Sequence, residues 1–154
     1  FETHDKPFKA IVKKELMSVF VLGNVLKMLQ FEAMDRENLR ASMKVIKKAT
    51  QEMSEGRKYV IFPEGTRCRQ QNQMLEFKGG TFKTVIDAKK PIVPVALIDC
   101  YKVFDNNTIA PVDAQIHYLK PIFYDEYKDM NSTEIAHYVQ ECIEKCIAEN
   151  ENRF

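Results

Sequence analysis

No stretch of this chain approaches the roughly 20 consecutive apolar residues that a membrane-spanning helix requires. The most apolar stretch, residues 16–29, is interrupted by Ser18, Gly23, Asn24 and Lys27. It reads as a buried helix or an interfacial element. Any meeting with a membrane is therefore expected to be peripheral, or to use an anchor outside these residues. A strong charge of one sign is also lacking. The net charge is +1, and the pairs Lys13-Lys14, Lys47-Lys48 and Lys89-Lys90 are scattered, so no basic field points to nucleic acid as a partner. Cys68, Cys100, Cys142 and Cys146 form no C-x-x-C pair, which leaves zinc ribbons and thioredoxin-like motifs without support. No secretory signal pattern is present, and a reduced, cytosolic-facing domain with small apolar thiols is expected. Neither a G-x-x-x-x-G-K-[ST] loop nor a G-x-G-x-x-G turn occurs, so the common nucleotide-binding turns are excluded. There is no internal repeat, low-complexity tract or dividing linker.

What remains is an ordinary globular composition, 45% apolar and 29% charged over 154 residues, enough for a single domain spanning 1–154. Strand and helix patterns alternate. Residues 8–12 form a β-rich run, 16–29 a helical one weakened by Gly23, and 30–34 a second short strand. Leu39, Met43, Ile46, Thr50 and Met53 recur at spacings of three and four, which predicts an amphipathic helix over 37–53, closed by Ser54-Glu55-Gly56. Residues 59–62 form a compact apolar strand that stops at Pro63, and a polar loop covers 64–76. Gly79-Gly80 opens a helix to about Lys90. The apolar run 92–98 reads as a strand covered on both faces, and 114–119 as a further strand. Asn131 with Glu134 three residues on has the form of a capping box. It starts a last helix with Ile135, Val139, Cys142 and Cys146 on one face. This alternation implies an α/β layered domain with a largely parallel or mixed sheet flanked by helices.

The most informative stretch is Phe62-Pro63-Glu64-Gly65-Thr66-Arg67, directly after a buried strand. Ligands of α/β sheets sit at the carboxyl ends of strands. Gly65 permits a tight turn and close approach. Backbone N–H groups there can face an anion, and the Arg67 guanidinium can fork onto a phosphate. Glu64, itself acidic, is better suited to ordering the loop than to touching phosphate. On the residues alone, an exposed turn with an ion pair remains an equal alternative.

The stretch resembles the F-P-E-G-T-R signature of the glycerolipid acyltransferases, the 1-acylglycerol-3-phosphate acyltransferase family. Four further blocks agree in order. Ile11-Val12-Lys13-Lys14-Glu15-Leu16 resembles the family's strand followed by K-x-E-L. Asp35-Arg36 resembles the end of its next block, Phe77-Lys78-Gly79-Gly80 its F-K-x-G segment, and Val93-Pro94-Val95-Ala96 its V-P-V-A block. The resemblance covers residues 8–97. It implies that Arg36, Gly65, Thr66 and Arg67 surround the phosphate of a lysophospholipid acceptor, with Lys13 adding positive charge. Glu64 would organise the site and Pro94 shape its wall. Cys68 stands where the family commonly has serine.

The resemblance implies transfer of a fatty acyl group from acyl-coenzyme A or acyl carrier protein to lysophosphatidic acid, as in phospholipid biosynthesis, on the cytoplasmic side of a membrane surface. No cofactor or metal is called for, because the thioester is already activated. The family's first block, N-H-x-x-x-x-D, supplies the base and the aspartate that orients it. Here His4 is followed at once by Asp5, and Lys9 stands five residues on. His117 and His137 also lack an aspartate at that spacing. The pair is therefore expected upstream of Phe1, and residues 1–154 alone are expected to be inactive. A phosphate-ligand-binding module and a pseudoenzyme are the alternatives.

Overall fold

The computed structural model describes residues 8–35, 38–105 and 111–151. The chain divides into two compact units, Phe1–Ile61 with Asp87–Lys90, and Phe62–Ile86 with Pro91–Phe154.

The first unit is built on a three-stranded sheet in the order β2-β1-β3. Its strands are β1 (Phe8–Lys13), β2 (Glu32–Met34) and β3 (Lys58–Val60). Both neighbours run parallel to β1, with Val12 opposite Ala33 and Lys9 opposite Tyr59. Parallel strands need crossovers. One consists of a 3-10 turn (Lys14–Ser18) and helix α1 (Phe20–Met28), the other of helix α2 (Leu39–Ser54). Asn38 caps α2 by accepting the Ala41 N–H at 3.0 Å. Gly56, with φ +96°, follows its end in the left-handed conformation that glycine tolerates.

The stretch 16–29 is not one helix. Val19 is extended (φ −71°, ψ 125°) between the 3-10 turn and α1. The Ser18 hydroxyl donates to the Glu15 carbonyl at 2.6 Å, a local bond that competes with helix continuation. A side chain at Gly23 would collide with the Met17 carbonyl, so glycine lets the 3-10 turn fold back onto α1. Gly23 and Leu26 are buried, while Phe20, Val21 and Met28 are largely exposed.

Successive strand residues point to opposite faces, and both Lys9 and Ala10 are buried, so β1 is covered on both sides. On the Lys9 side the cover is charged. Lys9 Nζ donates to both carboxylate oxygens of Glu52 on α2, at 3.0 and 2.7 Å. It also lies 3.7 Å from Glu32, which pairs with Lys48 at 2.7 Å. The Tyr59 hydroxyl donates to Glu52 Oε2 at 2.7 Å. The Lys9 hydrogen bond, aided by Tyr59 against the opposing effect of burial, holds the Glu52 carboxyl below its ordinary range. Burial first, then the bond to Glu52, pushes the Tyr59 phenol up.

The second unit has an apolar core around Phe77, Phe82, Ile98, Ile122, Tyr127 and Ile135. Strands β4 (Val95–Ile98) and β5 (Gln115–Tyr118) form an antiparallel pair, with Ala96 opposite His117. Ile92 bridges to Ile122 in the same sense. The run 92–98 is therefore covered on one face and not on both. Ala96 and Ile98 are buried while Leu97 is exposed, as an antiparallel pair with one open face allows. A 3-10 turn (Gly79–Phe82) leads into α3 (Lys83–Ala88). Two short helices, α4 (Lys102–Asp105) and α5 (Tyr124–Tyr127), precede the long α6 (Ser132–Asn150). The Asn131 side chain accepts from Thr133 and Glu134 N–H, and Glu134 reaches back to the Asn131 N–H at 2.7 Å. The buried row of α6 is Ile135, Val139, Ile143 and Ile147. Cys142 and Cys146 lie half-buried beside it, because i, i+4 steps from Val139 reach the isoleucines instead. Among the described residues no helix is long and apolar enough to cross a membrane.

Candidate functional site

The glycine-bearing loop belongs to the second unit. Its turn is closed by the Gly65 N–H donating to the Phe62 carbonyl at 3.1 Å. Gly65 has φ +71°, a conformation that costs any residue with a Cβ. A methyl group added there would come within 3.1 Å of Lys78 Nζ and 3.4 Å of its Cδ and Cε. The Lys78 stem thus lies across the turn, and its ammonium stands over the glycine.

Two ties close the loop on itself and two hold it to the rest of this unit. The Glu64 carboxylate accepts the Leu75 N–H at 3.0 Å. The Lys78 N–H donates to the Pro63 carbonyl at 3.0 Å. The Phe77 N–H donates to Gln140 on α6 at 3.0 Å. Asn72 and Asp99 make a reciprocal pair, with the Asp99 N–H reaching Asn72 Oδ1 at 2.7 Å and Asn72 Nδ2 reaching Asp99 Oδ1 at 3.1 Å. Asp99 itself sits at φ +61° and pairs with Lys102 at 2.8 Å. The Lys102 contact, then the Asn72 bond, keep its carboxyl below the ordinary aspartate range against the effect of burial. Gly79 follows at once, and a methyl there would lie 3.0 Å from Thr133 Oγ1, so the turn after the loop seats directly on the start of α6.

Glu64 is directed at backbone within the loop, while Thr66, Arg67 and Lys78 are exposed. A turn with the Lys78 ammonium over it and Arg67 two residues on can take an anion, because guanidinium and ammonium suit phosphate oxygens. Cys68 accepts the Gln70 N–H at 3.4 Å, a local turn bond of the kind serine also makes. Pro94 is buried, and its carbonyl accepts the Leu119 N–H at 3.0 Å, which fixes the entry to β4. Lys13 belongs to the first unit. It is exposed at the end of β1 and pairs with Glu15 at 3.1 Å, while Lys14 pairs with Asp35 at 3.0 Å. Arg36 and His4 lie outside the described residues. His117 Nε2 is 2.9 Å from Gln115 Oε1, and His137 is exposed on α6. Among the described residues no group of three or more His, Cys, Asp or Glu side chains could hold a metal ion.

Lys78 is the residue that sequence reasoning left without a role. The Phe77-Lys78-Gly79-Gly80 block marks its place, but nothing in the spacing shows that residue 78 returns to the turn at residue 65. That return depends on the bond to the Pro63 carbonyl.

A family profile described as Acyltransferase matches residues 1–98. The chain is 28% identical over 133 residues to the 1-acyl-sn-glycerol-3-phosphate acyltransferase of Cocos nucifera, covering 84% of this chain and 42% of that protein. To the enzyme of that name from Borreliella burgdorferi it is 31% identical over 134 residues, covering 84% and 53%. To that from Helicobacter pylori it is 27% identical over 139 residues, covering 83% and 59%. The chain thus spans about half the length of these relatives. Among solved structures, the crystal structure of the 1-acyl-sn-glycerophosphate (LPA) acyltransferase PlsC from Thermotoga maritima superposes with a TM-score of 0.77. That match has 20% identity and covers 96% of this chain and 58% of the other, a likeness of fold.

Proposed function

The chain belongs to the acyltransferase family, and from that premise we propose that it forms the acceptor-binding part of an enzyme that acylates lysophosphatidic acid to phosphatidic acid. The observation that carries this reading is the Gly65 turn with the Lys78 ammonium across it and Arg67 two residues on. The names of the relatives support a lysophosphatidic acid acceptor. Its phosphate lies against the turn, held by the backbone N–H groups of the loop, the Arg67 fork and Lys78. Glu64 keeps the loop in shape through the Leu75 N–H, and Thr66 stands beside the turn as a hydroxyl partner for the headgroup. The family blocks add Lys13 and Arg36 to the acceptor-binding residues, and Pro94 to the wall, as assignments from sequence.

With the phosphate fixed, the free acceptor hydroxyl attacks the thioester carbonyl of acyl-coenzyme A or acyl carrier protein. The tetrahedral intermediate collapses with loss of the thiol, so the new ester bond replaces the C–S bond. Positioning of this kind supplies much of an acyl transfer's acceleration. The hydroxyl proton needs a base within hydrogen-bond reach. The family's His–Asp pair fills that role, and we assign it to none of His4, His117 or His137. A lysolipid acceptor places the reaction at a membrane surface, and four free thiols accord with its cytoplasmic side.

The test is a titration of this chain with short-chain lysophosphatidic acid, with ATP as competitor. Arg67→Ala and Lys78→Ala are each expected to weaken lysophosphatidic acid binding about tenfold or more, the range of a lost charge-assisted bond. ATP should compete poorly. Unchanged binding in both variants would remove the turn from the site, and equal competition by ATP would favour a general phosphate-binding module.

A further inference from the structure

We propose that the outward face of α1 is an interfacial docking surface for an anionic lipid bilayer. The proposal deepens the reading that the acceptor is a membrane lipid and rests on that reading for its purpose, while its geometry stands apart from the phosphate site. On a helix of 3.6 residues per turn, Phe20, Val21, Asn24, Val25 and Met28 fall within one arc of about 140°. Gly23 and Leu26, the buried residues, lie on the opposite side. Phe20 is 88% exposed, Met28 83% and Val21 68%, with Val25 also exposed. A surface helix ordinarily turns its polar side outward, and apolar residues on a soluble surface are usually single. Here the order is reversed, because the small Gly23 side seats the helix on the Met17 carbonyl and leaves the bulky apolar side facing out.

Charge selects the occupant. Between Glu15 and Glu32 the only charged residue is Lys27, exposed in the last turn of α1 at the rim of the apolar arc. An apolar face without carboxylates and with a lysine at its edge suits a negatively charged headgroup layer. The lysine stem follows the apolar surface while its ammonium stays among the phosphates. Extent points the same way. A stable protein interface needs about 800 Å² and roughly 20–30 residues a side, far more than the seven exposed residues among the nine of α1. A bilayer asks for no complementary shape. At about 1.5 Å per residue α1 is some 13 Å long, suited to lying in the interface and far too short to cross it.

Flotation of the 154-residue protein with phosphatidylcholine vesicles, with and without phosphatidylglycerol, tests the proposal. The wild type is expected to float with the anionic vesicles, and Phe20→Ser/Met28→Ser to partition about tenfold less. Both substitutions are at exposed positions, and circular dichroism with a thermal melt verifies the fold. The chain has no tryptophan, so Phe20→Trp provides a single reporter whose emission should shift to the blue on adding anionic vesicles. Equal flotation of wild type and double variant overturns the proposal, as does an emission maximum that vesicles leave unmoved. A concentration-dependent dimer that the double variant disperses, with no flotation, overturns it in favour of a second copy. Titration with short-chain lysophosphatidic acid below its micelle threshold separates the two readings. Flotation without that binding upholds the docking face and overturns the acceptor assignment, whereas binding without flotation overturns the docking face alone.

Discussion

The two units solve the problem of burial in opposite ways. In the first, a lysine sits under the sheet and is held by two glutamates and, through one of them, a tyrosine, while the apolar side of α1 faces outward. In the second, the interior is apolar, and the sheltered charge is the Asp99 carboxylate, paired with Lys102 beside the loop. Tyr127, Ile98 and Ile135 are fully buried there. A charge cluster holds its members in one geometry but stabilises weakly, because removing ions from water offsets most of their attraction. An apolar core stabilises in proportion to area and packing. The Gly65 loop, the candidate phosphate site, belongs to the apolar unit, and the candidate lipid-facing helix to the charged one.

The largest effect is expected at the centre of the apolar unit. Ile135→Ala should cost about 4 kcal/mol, the lost transfer energy plus a residual cavity. Denaturant unfolding gives the total, and amide exchange should show the loss spread across the second unit. Next is Lys9→Met, which leaves the half-buried Glu52 carboxylate with the Tyr59 hydroxyl as its remaining donor among the described residues and should cost about 2 kcal/mol. Adding Glu52→Leu should recover much of that loss, and no recovery would mean that the cluster contributes more than its pairing. Gly23→Ala should cost about 2 kcal/mol by driving a methyl into the Met17 carbonyl. Its thermal midpoint should fall while the second unit keeps its exchange protection. Asn72→Ala should cost about 1 kcal/mol, with the loss of protection confined to the loop and to Asp99 N–H.

Acid gives the finest comparison. The Glu52 carboxyl titrates below its ordinary 4.5, so its contribution is complete above that value and is lost as pH falls through the lower, folded-state value. First-unit amides, together with those beside Asp99, whose carboxyl is also held low, should lose protection in acid before those of the apolar core. Alkali reverses the sign. Tyr127 is pushed up to about 12 by burial, so its contribution is present below pH 10 and declines as pH rises toward 12. Exchange or absorbance titration reads both windows, and simultaneous collapse of both units in acid would erase the distinction.

Much of this was legible in sequence wherever a local rule acts alone. The Asn131–Glu134 box, the span of α2 and the first strand fall where spacing puts them. The α2 stripe does so only in part: Met53 is buried as expected, whereas Met43 is 61% exposed and Ser42 and Ala49 are buried in its place. The Gly65 turn is legible because only glycine accepts its conformation cheaply. Legibility fails where a partner distant in the chain decides. Nothing local shows that Lys9 is buried; its partner is Glu52, 43 residues later. Residues 16–29 read as one helix until Gly23 brings two segments together. The run 92–98 has the composition of a doubly covered strand, and only its antiparallel pairing leaves Leu97 exposed. The Lys78 ammonium lies at the Gly65 turn, beside a backbone bond that no side-chain pattern announces.

The tie between Phe77 and Gln140 spans 63 residues, and it sets an order of events during synthesis. Chains emerge at about 5–20 residues per second, so the loop exists for several seconds before its acceptor on α6 has been made. Gly79 likewise waits for Thr133 to seat against. The Gly65 turn is therefore one of the last parts of the unit to mature, after the neighbouring β4–β5 pair can close. A nascent chain halted before residue 131 should show rapid exchange at the Phe77 amide, and release of the full chain should bring its protection.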